Sequence, residues 1–138
     1  MSVQFFSEET EFIIDNPQSI RKWIHSAIED KGFVPGTLNY IFCSDDYLLS
    51  INKQYLNHDT YTDIITFDYA KGKIVSGDIF ISIDRVKENA TKFHKTFENE
   101  LCRVIIHGVL HLCGLKDKST EDSHHMRAEE DFYLDKLN

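Results

Sequence analysis

A chain of 138 residues with 41% hydrophobic and 28% charged side chains, six Gly and two Pro can bury one full core, which excludes disordered, collagen-like and disulfide-stapled classes. Fifteen Lys and Arg against 23 Asp and Glu leave a net charge of −8, which disfavours nonspecific nucleic-acid binding and confines any RNA contact to a local basic patch. No apolar run approaches the roughly 18 residues of a membrane span, and the start MSVQFFSEETEF lacks the build of a signal peptide, so the cytoplasm is the expected compartment, with Cys43, Cys102 and Cys113 reduced.

Strand-like residues open the chain at Val3 to Phe6, with a second short extended run at Phe12 to Ile14. Asn16-Pro17 offers an N-cap and a proline at the first helical position, and Ile20, Trp23, Ile24, Ala27 and Ile28 recur at helical spacing until Gly32 stops them. Leu38 to Cys43 alternates as a strand, and Ser44 caps a second helix reaching Leu56. The polar loop Asn57 to Tyr61 leads into the strand Ile64 to Phe67. Ala70-Lys71-Gly72-Lys73 reads as a hairpin turn, with a return strand from Ile74 to Ile83 that bulges at Ser76-Gly77-Asp78. Helical character resumes from Asp84 to Phe93, again from Thr96 to Cys113 before Gly114, and finally from Thr120 to Leu137. The expected fold is α+β: one domain over residues 1–138, with a small four-stranded mixed sheet packed against helices.

Chemistry concentrates in the penultimate helix and the turn after it. His107 and His111 stand four apart, so both rings project from one helix face, about 6 Å apart along the axis. Gly114 lets the chain leave the helix through a left-handed turn, which swings Asp117 back toward the pair. Two imidazoles and a carboxylate suit zinc or a related divalent ion and leave a coordination position for water. His124 and His125 are the competing third ligands, although they sit within the last helix. Asp63 and Asp78 are candidates to orient the histidines or to act as general base, with hydroxide held by the metal as the third option; His58 and Asp59 carry a weaker signal. An HExxH protease places glutamate directly after the first histidine; Gly108 occupies that place, which argues against peptide hydrolysis.

The segment HGVLHLCGLKD resembles the HGxLHLxGxxH signature of the YbeY family, bacterial metal-dependent endoribonucleases linked to ribosomal RNA maturation and ribosome quality control. Thr62 to Phe67 is similar to the family's TDVLSF, Gly77 to Ser82 to its GDIxIS strand, and Glu100-Leu101 also fits, so the likeness spans about Leu49 to Leu137. The resemblance implies a single-strand endoribonuclease with one Zn2+ per chain on His107, His111 and Asp117, acting on ribosomal RNA or its precursors. It also departs from the family twice. Asp117 replaces the usual third histidine, and Leu56 stands where an NxxYR arginine is common. Another cation must then meet phosphate; the candidates are Lys53, Lys71, Lys73, Arg103, Lys116 and Arg127, with Lys71 and Lys73 on the hairpin and Arg103 and Lys116 near the motif favoured. The competing reading is a non-catalytic ribosome-assembly factor with a structural metal site.

Overall fold

The computed structural model describes residues 2–137, in which β1 (Ser2–Glu8), α1 (Pro17–Asp30), β2 (Val34–Cys43), α2 (Asp45–Leu56), β3 (Ile64–Asp68), β4 (Ile74–Ser82), α3 (Ile83–Lys92), α4 (Phe97–Leu112) and α5 (Thr120–Leu137) follow one another. The four strands form one sheet in the order β1-β2-β4-β3. β1, β2 and β4 run parallel, and β3 pairs antiparallel with β4 through the hairpin. This is the α+β architecture expected from the alternation of strand and helix patterns.

Side-chain alternation assigns each sheet face its own cover. Leu38, Tyr40 and Phe42 of β2 and Val75, Ile79 and Ile81 of β4 belong to the main core with Ile24 and Ile28 of α1, Ile105 and Val109 of α4, and Met126 and Tyr133 of α5. On the opposite face, Leu48 and Ile51 of α2 pack with Cys43 and Ile65. α4 lies close to the sheet because Gly108 has no side chain: a Cβ there would stand 3.1 Å from Ile64 Cδ1 and 3.2 Å from Ile79. That approach accounts for a glycine in mid-helix, where it otherwise costs about 1 kcal/mol relative to alanine. It also seats the flanking His107 beside the start of β3.

The helix boundaries have local causes. Ser44, Ser82 and Thr96 each accept a backbone N–H from three residues onward at 3.1 Å, the usual side-chain satisfaction of an otherwise unpaired first-turn donor. Asn16 does not act as predicted: it adopts a left-handed φ of 55° with no side-chain cap, and Pro17 alone sets the start of α1. Phe12 to Ile14 is not a strand: it pairs with neither edge of the sheet, and Phe12 instead packs edge-on against Phe42 and Phe97 at 5.0 and 5.7 Å. β2 begins at Val34 rather than Leu38. The bulge expected in β4 lies across from it: the register slips between Pro35 and Leu38, so β2 carries the extra residue while β4 runs unbroken to Ser82.

Candidate metal centre

His107 and His111 leave α4 on one face with ring centroids 4.5 Å apart. The helix closes at Gly114, whose φ of 98° allows Gly114 N–H to donate to the His111 carbonyl and Leu115 N–H to the Leu110 carbonyl. The same turn has two further effects. It places the Leu115 carbonyl 3.0 Å from His111 Nδ1, and it returns Asp117 to the histidines, with Oδ2 3.7 Å from His107 Nε2. One ligand atom from each of His107, His111 and Asp117 lies within 4.8 Å of the others.

The remaining polar atoms of these side chains are tied back. His107 Nδ1 meets Glu130 Oε2 of α5 at 2.6 Å, so this ring nitrogen donates to the carboxylate. Asp117 Oδ1 accepts from Ser123 Oγ at 2.8 Å. With both Nδ1 atoms engaged, both Nε2 atoms remain as lone-pair donors, and Asp117 Oδ2 completes a nitrogen-nitrogen-oxygen set. These residues fit a borderline divalent ion such as zinc by donor type, and Asp117, half-exposed, leaves the set open to solvent.

Electrostatics divide the pair. Burial works against the charged ring of His107, but the hydrogen bond and charge of Glu130, aided by Asp117 and Asp63, raise its pKa overall. Burial, then the neighbouring His107, depresses His111. A raised pKa favours the protonated ring, so a metal must displace a proton from His107 over a pH range where His111 is already neutral. Metal affinity is therefore expected to be full above the raised His107 pKa and to fall about tenfold per pH unit below it, one proton exchanged per ion. Competition with a chromophoric chelator between about pH 8 and pH 5 measures this slope; a flat profile would exclude His107 as a ligand.

Between α4 and α5 a cavity of about 400 Å³ opens beside His107 and Asp117, walled by Asp63, Ile64, Glu100, Val104, Met126 and Arg127 among others. Asp63 faces it, and burial raises its carboxyl pKa despite the opposing influence of His107. Burial likewise raises Glu100. Asp78 points away from the centre. It lies on the α2 face of β4, in register with Phe67, where it accepts from Asn39 Nδ2 at 3.0 Å and Tyr69 OH at 3.2 Å. Strand alternation separates it from Gly77 and Ile79, which face α4, so it cannot serve the site as base or orienting group.

The candidate cations are scattered. Arg103 lines the cavity, but its guanidinium is held by Glu130 Oε1 at 2.8 Å and Asp131 Oδ1 at 2.5 Å. Lys71 and Lys73 sit in the hairpin at the far end of β3 from Asp63, and Lys73 lies over the Phe33 ring. Lys53 pairs with Asp59. Lys116 is exposed beside Asp117. His124 lines the cavity, whereas His125 turns toward Glu129, and neither joins the ligand cluster. His58 is exposed in its loop. The three thiols are free, and burial raises Cys43 to about 12 and Cys102 and Cys113 to about 11.

Glu130 is the residue that motif reading missed. Its signal was a charged side chain within the otherwise apolar stripe of α5, alongside Met126, Tyr133 and Leu134.

The family described as Endoribonuclease YbeY matches residues 4–138, an overlap that takes in all of these side chains. The chain belongs to the YbeY family. Among YbeY relatives, the endoribonuclease YbeY of Flavobacterium johnsoniae is 53% identical over 126 residues, covering 91% of each chain. That of Cytophaga hutchinsonii is 52% identical over 135 residues, covering 96% of this chain and 94% of its own. The solution structure of a Thermotoga maritima protein superposes with a TM-score of 0.68 at 25% identity, covering 99% of this chain and 89% of that one. No helix among the described residues is long and apolar enough to cross a membrane.

Proposed function

We propose that this YbeY chain is a zinc-dependent endoribonuclease that hydrolyses single-stranded RNA during ribosomal RNA maturation and ribosome quality control in the cytoplasm. The observation that carries the reading is the convergence of His107, His111 and Asp117, the first and last of which line the cavity between α4 and α5, in a chain whose relatives bear an endoribonuclease name. When bound there, the ion lowers the pKa of a coordinated water and polarises a phosphoryl oxygen. Glu130 and the Leu115 carbonyl fix the two rings by their Nδ1 atoms, and Ser123 holds Asp117. Asp63 serves as general base: its raised pKa suits a carboxylate that takes a proton from the attacking water. Ile64, Val104 and Met126 form an apolar wall that limits water.

The test is incubation of zinc-loaded protein with end-labelled single-stranded RNA, with His107→Ala prepared in parallel and the product ends analysed. Cleavage by wild type alone, without an obligatory 2′,3′-cyclic phosphate, is expected. Equal cutting by both proteins marks a contaminant and removes the reading. A structural metal in a non-catalytic assembly factor calls for a fourth protein ligand, and the cluster holds three among the described residues. If Asp117 is the third ligand, Asp117→His retains zinc, whereas Asp117→Ala weakens it at least about tenfold in chelator competition. Equal affinity for Asp117→Ala and wild type would transfer the role to another donor.

A further inference from the structure

The cavity beside the ligand cluster is dominated by carboxylates, Asp63, Glu100, Asp117 and Glu130, against two arginines. Apart from an ion held by the ligand cluster, such a groove repels a polyanion, so a side-chain cation left uncommitted inside it favours entry. Arg103 is committed to Glu130 and Asp131. Arg127 is exposed and lines the same cavity; its charge acts on Glu100, yet it forms no salt bridge among the described residues.

Its position on α5 is specific. Ser123, Arg127 and Glu130 fall at helical spacing on one face, with Arg127 about 6 Å along the axis from Ser123 and about 4.5 Å from Glu130. The outer two touch metal ligands directly, Ser123 through Asp117 and Glu130 through His107. Arg127 therefore stands on α5 between the two residues that brace the centre, and among the arginines lining the cavity it is the one without a salt bridge.

We propose that Arg127 positions the substrate by binding an RNA phosphate next to the metal centre, as the phosphate contact of an otherwise acidic groove. The assignment rests on the endoribonuclease reading above. A guanidinium suits the task because its planar fork engages two phosphate oxygens, and it stays charged at any working pH. Glu100, across the groove, is a like-signed wall to the phosphate and keeps the backbone on the Arg127 side.

The experiment compares wild type, Arg127→Ala, Arg127→Lys and Arg127→Glu on a fluorescent single-stranded RNA oligonucleotide. Initial-rate KM and kcat, anisotropy binding as a function of salt, and zinc content are measured on each. In Arg127→Ala, KM is expected to rise about tenfold with kcat within about twofold, the loss of one charge-assisted contact. The slope of log affinity against log salt should shrink by about 0.7, the value of one single-strand phosphate. Arg127→Lys should recover the salt slope but only part of the affinity, Arg127→Glu should be worse than alanine, and zinc content should not change.

Unchanged KM and slope in Arg127→Ala, in a preparation whose wild type cuts, overturn the assignment. Loss of zinc in that variant overturns it as well, since Arg127 would then be bracing the centre. Should wild type itself fail to cut, the endoribonuclease reading falls, and the anisotropy titration still decides Arg127: weaker, less salt-dependent binding upholds the phosphate contact, and equal binding removes it.

Discussion

His111→Ala is expected to lose RNA cleavage to background and to weaken zinc binding by more than about a hundredfold. That exceeds the roughly 10–100-fold cost of removing an outer partner, because the variant deletes one of three direct donors. Half-buried on the rim of α4, the ring contributes little to the core, so in excess chelator the variant should lose only its hydrogen bond to the Leu115 carbonyl, about 1 kcal/mol. Without chelator, only wild type should gain stability as zinc is added, by mass action on the native state. Elemental analysis and a urea titration with and without zinc report both effects. Stoichiometric zinc in His111→Ala would eliminate the proposed centre.

Glu130→Ala should be costly in a different way. The carboxylate is buried at 5% exposure and bonds His107 with one oxygen and Arg103 with the other. Removing it leaves a largely buried guanidinium with a single exposed partner, Asp131, and an imidazole N–H with none. Breaking one side of a buried pair costs about 3–5 kcal/mol, and the surviving Asp131 contact places this case near about 3 kcal/mol in chelator-treated protein. Zinc affinity should drop about 10–100-fold as His107 loses its orienting acceptor. Glu130→Gln preserves the shape and an acceptor oxygen, so it should keep most of the zinc affinity while still losing stability through Arg103. If Glu130→Ala binds zinc as wild type does, the packing of α4 alone orients His107.

The elements that periodicity revealed were those whose local chemistry agrees with their packing. The apolar stripes of α1 and α4, the serine before α2 and the hairpin at Ala70 to Lys73 all point one way in sequence and fold. Phe12 to Ile14 has strand-like residues, but Phe12 is taken up by side-chain packing against Phe42 and Phe97 rather than by an edge of the sheet, which a local pattern cannot report. The bulge was displaced across the ladder because Ser76-Gly77 and Pro35-Gly36 both carry a glycine, and only the pairing shows which strand holds the extra residue.

The same distinction runs through the site. His107, His111 and Asp117 lie within one turn and its exit, so their spacing alone brings them together. Asp63 and Asp78 look equivalent in sequence. Which one reaches α4 is decided outside the alternation pattern: Asp63 sits in the bend before β3 and lines the cavity together with Ile64, whereas Asp78 lies within β4 on the reverse side. Arg103 reads as a free cation until the partners that α5 supplies, 27 and 28 residues later, are placed against it.

The sheet order also bears on how the chain assembles and yields. Asp63, His107, His111, Asp117 and Glu130 all follow β2, and the β3–β4 hairpin and the run of α3, α4 and α5 are joined by short connections. β1 and β3 are the two edge strands, but β3 is tied to β4 by the hairpin, whereas β1 reaches β2 only through a helical crossover. Contacts close in sequence form early, and parallel pairings across a crossover form late. The half that carries the candidate ligands is therefore expected to assemble first, with β1 docking late. Local opening at that edge would leave the candidate groove assembled, so damage to β1 would first shorten the lifetime of the native state while the site of each surviving molecule stayed intact.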